Sequence, residues 1–304
     1  MMSMSFISDT GRSVGHEAIQ HLPRTRWAMP KRRNQKQARK SRERLMGKGE
    51  GRLKEKVAVI TGATGGIGGA IARKMLDEGA QVMLAGRDEE RLKAAADALD
   101  AGGRVAICAG QPSNEHDVEA LIAATIDRFG QLDMFVANAG SEGKVMPITM
   151  TSLDDFEAVQ HANLTSVFLA IKHAGATMQE SGGSIIAVAS VAGVVGVAGI
   201  GAYAASKHGI AGLAKVGALE LAPAKVRVNC VAPAPIDNAM MESIEGQASP
   251  DDPSLARSGF TALIAMGRYG TNEEVANLVS FLGSDEASYC TGGIYAVDGG
   301  FLAA

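Results

Sequence analysis

The sequence predicts an α/β fold: a doubly wound parallel sheet of about seven strands with helices on both faces. Three observations predict it. Short β-branched runs alternate with helix-length stretches as far as the C-terminus. The first of these runs empties into a glycine-rich turn that opens a helical pattern. Composition agrees, with 37 glycines, 4% aromatic residues and no apolar run near the roughly 20 residues needed to span a bilayer. A soluble protein is expected, with no membrane partner.

In chain order, the first segment stands apart. Residues 1–52 carry 13 Lys and Arg against 4 Asp and Glu, whereas the remainder carries 17 against 29. Asymmetry of this size marks a separate segment, so 1–52 is read as a basic, disordered extension and 53–304 as one folded domain. The arginine-rich, acid-poor run 31–44 could bind nucleic acid or an acidic surface, or belong to a targeting peptide. No apolar signal core precedes it, which argues against secretion. A tail is the reading adopted, with Met46 beginning the functional chain, because MGKGEGRLKEK leads directly into the first strand.

The β-branched run 57–61 is the first strand, and Gly62, Gly66 and Gly68 follow it. Ile67, Ile71, Met75 and Leu76 then fall on one helical stripe. Glycines allow left-handed dihedrals and close backbone approach, so a pyrophosphate can rest on amides at the positive end of that helix. The spacing is Gly-x3-Gly-x-Gly rather than the general G-x-G-x-x-G, but it opens a strand–turn–helix unit with a second strand at 81–85. A carboxylate at the end of that strand would bind the ribose hydroxyl of NAD, and an arginine would accommodate the extra phosphate of NADP. Gly86 stands where the carboxylate would be and Arg87 follows, which favours NADP and leaves NAD as the alternative. Asp88 is read as the N-cap of the next helix.

Further strands are expected at 104–109, 132–138, 184–189, 226–231 and 294–297, and long helices at 152–180 and 202–222. Ser190 follows the apolar run SIIAVA, a buried strand ending at a hydroxyl, where open α/β sheets place their ligands. Tyr203 and Lys207 lie four apart in YAASK, on one helical face. A neighbouring ammonium favours a phenolate, so the pair is expected to exchange a proton nearer neutrality than a free phenol. Lowering the phenol by roughly three pKa units needs about 4 kcal/mol, more than one half-exposed lysine supplies. A second positive charge, such as an oxidised nicotinamide, is required.

With these residues in place the chain resembles the short-chain dehydrogenase/reductase family, from about Leu53 to the C-terminus. The motifs that carry the resemblance are TGATGGIG at 61–68, NAG at 138–140, Asn163 in NLTSVF, Ser190, YAASK at 203–207 and DGG at 298–300. The resemblance implies a Rossmann-type, NAD(P)-dependent oxidoreductase with a catalytic tetrad of Asn163, Ser190, Tyr203 and Lys207. In it Tyr203 is the general acid/base, Ser190 orients the carbonyl or hydroxyl, Lys207 bonds the nicotinamide ribose, and Asn163 holds a water in a proton relay. The implied cofactor contacts are Gly62, Thr64, Gly66, Ile67, Gly68, Arg87, Gln111, Asn138, Ala139, Gly140, Tyr203, Lys207, Pro233 and Ile236. Two departures stand out. Gln111 occupies the place of a usual aspartate near the adenine, and Pro233, Ala234, Pro235, Ile236 replaces a Pro-Gly segment, with Asn238 where threonine is common. The resemblance also implies that the helices at 152–180 and 202–222 meet a second subunit, in a homodimer or homotetramer.

Cys108, Cys230 and Cys290 are widely separated without a C-x-x-C pair, and are expected to be buried thiols in a reducing, cytoplasmic setting. The histidines His16, His21, His116, His161, His173 and His208 show no paired ligand spacing with carboxylates or thiols, so no catalytic metal is expected. Small apolar residues after Ser190 and the Met-bearing segment 237–266, a lid in the resembling enzymes, point to a hydrophobic or alicyclic ketone or secondary alcohol. Two alternatives are a 3-oxoacyl-carrier-protein reductase and a nucleotide-sensing or nucleic-acid-associated protein without chemistry. The complete tetrad disfavours the latter.

Overall fold

Val57–Thr61 (β1) is buried at all five positions, as a strand covered on both faces must be. Its neighbours in a computed structural model, which describes residues 51–303, are equally apolar. Gln81–Gly86 (β2), Val105–Ala109 (β3), Met134–Ala137 (β4), Gly183–Val188 (β5), Val226–Pro233 (β6) and Ile294–Val297 (β7) complete one parallel sheet in the order β3-β2-β1-β4-β5-β6-β7. Every strand lies within two residues of its expected place. The chain winds outward from β1 to β3 and then returns to pair β4 against β1. That reversal leaves a crevice beyond the C-terminal ends of β1 and β4.

Alternation along the strands divides the core into two layers. Ile60, Val136 and Ile186 pack with Gly66–Asp77 (α1), Glu89–Leu99 (α2) and Asn272–Gly283 (α9) through Ile71, Leu92 and Val275. Val59, Phe135 and Ile185 face Glu115–Phe129 (α3), Ser166–Thr177 (α5) and Gly201–Leu221 (α6) through Val118, Val167 and Ile210. Asp88 caps α2, its side chain accepting from the Arg91 amide, as expected.

The helix expected at 152–180 is instead Leu153–Gln160 (α4), a π-helical turn at His161–Thr165, and α5. Apolar periodicity does not register a single extra residue in a turn. The small residues of α5 and α6 do meet, but within the chain. A Cβ at position 175 would come 2.8 Å from Leu221, and one at 217 would come 3.0 Å from Ile171. The lid segment between β6 and α9 is built as two helices, Ala239–Ala248 (α7) and Pro253–Ala262 (α8).

Of the cysteines only Cys230 is fully buried, and burial pushes its thiol up to about 12. Cys108 and Cys290 are half-buried, contrary to expectation, because they sit in the thinner outer parts of the sheet at β3 and before β7. No helix among the described residues is long and apolar enough to cross a membrane. The basic run 31–44, Met46, His16 and His21 lie outside the described residues.

Candidate active site

The cleft begins where β1 runs out. Gly62 takes φ +65°, and a Cβ there would lie 2.9 Å from the Ala139 backbone. At Gly68 the Cβ would meet the Gly62 carbonyl at 2.2 Å, so this turn closes only as glycine. Asn138 locks it from the β4 side, its amide donating to the carbonyls of Thr61 (3.0 Å) and Gly62 (3.1 Å). The Thr61 hydroxyl accepts from the amides of Asn138 and Ala139. Gly65 caps α1 without any side-chain acceptor, so the first amides of that helix present their positive end to the cleft.

The cleft, about 350 Å³, is lined by Gly62, Thr64, Gly66, Ile67, Gly68, Arg87, Gln111, Asn138, Ala139, Gly140, Ser190, Tyr203, Lys207 and Pro233. The structure thus gathers most of the residues singled out in the sequence. It sets two apart. Ile236 is buried in the core with Val275, and its backbone pairs with Gly270, so the segment faces the cleft through Pro233 and Asn238 instead. Asn163 lies fully buried behind the lining on the π turn, its carbonyl oxygen accepting from the Ser141 amide (2.8 Å) and its amide donating to the Ser141 carbonyl (2.9 Å) and the Ser206 hydroxyl (3.0 Å). Its polar side-chain atoms pin the strap that follows β4.

Sequence reasoning missed Arg91 and Ser141 and noted Asn238 only as a departure; all three line the cleft. Arg91 had a signal. It lies three residues beyond the N-cap Asp88, at the same end of α2 as Arg87. Asn238 caps α7 by accepting from the amides of Met240 and Met241, and its amide donates to Asn272 (3.2 Å), tying the lid to the glycine turn's side of the cleft. Gln111 is held through its own amide, which donates to Asp117 (2.8 Å), while its side chain donates to Ser113 (3.0 Å).

Ser190 ends the β5 run and accepts from the Ala192 amide at 3.1 Å. Tyr203, in the first turn of α6, is 9% exposed, and its phenol is near enough to the Ser190 hydroxyl for that hydroxyl to favour the phenolate. Lys207, one turn on, is 4% exposed; its ammonium donates to the Val188 carbonyl (2.8 Å) and stands 5.3 Å from the Tyr203 ring centre. The two side chains meet as the spacing predicts, and without a cofactor both lean toward their neutral forms. Burial pushes the Tyr203 phenol up to about 12, the Ser190 hydroxyl opposes this, and the Glu142 carboxylate adds to the rise. Burial also pulls the Lys207 ammonium down to about 8. Desolvation penalises the phenolate, and the ammonium alone does not offset it, in keeping with the need for a second positive charge. At neutral pH the arrangement offers a neutral phenol, oriented by a hydroxyl, as a proton donor to an oxygen in the cleft.

One histidine expectation also changes. His173 on α5 has one ring nitrogen 2.9 Å from Glu115 and the other 3.7 Å from Glu119, both on α3. Lys172 pairs with the same Glu115. Sequence separation hid this pairing; it is a surface network with an ammonium already on one carboxylate, and none of its members lines the cleft.

A family model described as enoyl-(acyl carrier protein) reductase matches residues 62–302. Levodione reductase of Leifsonia aquatica is 36% identical over 257 residues, covering 83% of this chain and 96% of the relative. A 3beta-hydroxysteroid dehydrogenase of Mediterraneibacter gnavus is 38% identical over 266 residues, with the same coverage of 83% and 96%. Cyclohexanol dehydrogenase of an Acinetobacter species is 33% identical over 252 residues, covering 82% and 96%. A crystal structure of levodione reductase is similar with a TM-score of 0.81 at 36% identity, over 83% of this chain and 99% of that one.

Proposed function

Because this chain belongs to the short-chain dehydrogenase/reductase family, oxidoreductases that interconvert carbonyls and alcohols with a nicotinamide cofactor, we propose an NADP(H)-preferring enzyme for a hydrophobic or alicyclic ketone or secondary alcohol. The observation that carries the reading is the half-buried Ser190 hydroxyl beside the buried Tyr203, both opening onto a glycine-walled cleft, with Lys207 one turn away. The residues present fit a dinucleotide. The uncapped start of α1 and the turn that no Cβ can enter form a cradle for a pyrophosphate. Beyond the end of β2 the cleft is lined by Gly86, Arg87 and Arg91, with Asp88 turned to cap α2, so two guanidinium groups and no carboxylate face it, which favours a ribose phosphate. A bound nicotinamide supplies or accepts the hydride.

The chain's own part is proton handling and placement. Tyr203 gives its proton to the carbonyl oxygen during reduction, and the Ser190 hydroxyl holds that oxygen. Lys207 keeps donors beyond its bond to Val188 for a ribose hydroxyl, and its charge favours the phenolate left behind. Asn163 acts through the strap it pins. On the substrate side Met240 lines the cleft, and Val145, Val197 and Ile200 pack around Tyr203. An apolar surround of this kind suits a compact ring, and the steroid and cyclohexanol named for two relatives are alicyclic. Exposed Phe168, Val216 and Leu219 on α5 and α6 support a homodimer or homotetramer. A cytoplasmic location accords with three free thiols.

A relative 35% identical, the 3-oxoacyl-(acyl-carrier-protein) reductase of Thermotoga maritima, favours a second reading, reduction of the 3-oxo group of an acyl-carrier thioester. Oxidation of NADPH and NADH followed with a panel of cyclic ketones and with an acetoacetyl thioester separates the two. Turnover of cyclic ketones, faster with NADPH, is expected. Turnover of the thioester alone would transfer the function to the second reading.

A further inference from the structure

Gln247 lies on the last turn of α7, exposed and outside the cleft. Its side-chain carbonyl accepts from the Val145 amide at 3.0 Å, and its side-chain amide reaches the Gly143 carbonyl at 3.4 Å and the Ser243 hydroxyl at 3.3 Å. One primary amide therefore engages the outward-facing C=O and N–H of residues 143 and 145, the two groups that a neighbouring strand would use. On its other edge the same strap is already paired. The Met146 amide donates to the Gly199 carbonyl at 2.8 Å and Met146 forms a parallel bridge with Ile200, at the start of the Tyr203 helix. At its near end Asn163 holds Ser141.

The strap 141–146 is thus fixed at one end and along one edge, and Gln247 supplies the remaining edge. No other hydrogen bond joins the strap to α7 or α8 among the described residues. Because Ala239 and Met240 at the other end of α7 wall the cleft, this bond ties a cleft wall to the tyrosine helix through the strap.

We propose that Gln247 is the latch of the substrate half: it holds α7 closed against the strap and thereby sets substrate retention, as a positioning residue that touches neither cofactor nor reacting atoms. This rests on the reading of the cleft as a ketone–alcohol site.

Two measurements on the full chain test it. Amide hydrogen exchange at Val145 should quicken about tenfold in Gln247→Ala, while Met146, still bonded to Gly199, keeps its protection. In cyclohexanol oxidation with NADP+, KM should rise about five- to tenfold with kcat undiminished and NADPH affinity within about twofold. Gln247→Glu, which can still accept from Val145 but cannot donate to Gly143, should fall between. Unchanged Val145 exchange, equal loss of protection at Met146, or a fall in kcat at constant KM would overturn the latch. If the unaltered protein leaves cyclohexanol untouched, the substrate reading fails while the exchange result still decides the latch.

Discussion

The two halves of the cleft are built differently. The half around the glycine turn is made of backbone. Thr61, Gly62, Asn138 and Ala139 satisfy one another, and two of its glycines admit no side chain. The lid half is made of side chains on two short helices. Leu255, Leu263 and Met266 stay exposed, and the two buried side-chain polar atoms without a hydrogen-bond partner among the described residues, on Glu245 and Tyr269, both belong to this region. Glu245 lies 3.5 Å from Arg257, which is also drawn to Asp237 at 2.8 Å and lies over the Tyr269 ring. A ligand that never changes can be met by main chain, which leaves no room for variation. A ligand that differs between relatives is met by residues that can be exchanged at little cost to the sheet.

The contrast can be broken most severely where both halves converge. Tyr203→Phe should lower kcat by about 10²–10⁴-fold while leaving NADPH binding intact in a fluorescence titration; equal loss of both would assign Tyr203 to the binding half instead. Next, Gly68→Ala should cost about 1–3 kcal/mol in urea unfolding and abolish nucleotide binding, since its methyl meets a backbone carbonyl that cannot yield. Leu263→Ala in the lid, 57% exposed, should stay within about 0.5 kcal/mol. Similar costs at both sites would remove the distinction. Arg91→Ala should weaken NADPH by about tenfold or more and spare NADH, read as the ratio of kcat/KM values.

The smallest effect is electrostatic. Between pH 8 and 9 the unfolded chain keeps the Lys207 proton that the native state releases, so stability rises with pH, by at most about 1.4 kcal/mol per pH unit. Above pH 9 the native form of Cys230 holds a proton that the unfolded chain loses, which cancels the rise, and above about pH 10, where Tyr203 does the same and the Lys207 difference closes, the slope reverses. Lys207→Met should flatten the rise in urea midpoints between pH 8 and 9.

The backbone half was legible in the sequence for the same reason that it is rigid. Strand periodicity and glycine spacing are local signals, and Gly62, Gly66, Gly68 and Asn138 line the cleft as their motifs imply. The lid half was legible only as a place. Gln247 lies 102 positions from Val145 in the chain, and no period announces such a bond. Arg91 could have been read from helix phase, whereas the burial that raises the Tyr203 phenol exists only once β5, α6 and the strap have closed round it. The inward turn of the Ile236 side chain was not legible, because an apolar residue beside a ligand segment can as readily pack into the core.

The turn at His161–Thr165 is a phase shift written into a helix. Each α-helical residue advances about 100° around the axis, so one additional residue leaves α4 and α5 looking in directions that a straight rod could not combine. α4 can lie along the tyrosine helix while α5 dives under the sheet, and the residue at the seam, Asn163, faces neither solvent nor sheet but the loop beside the reacting groups. Shortening this seam by one residue would straighten the rod and swing that asparagine out of reach, dismantling the cleft from behind without altering any side chain within it.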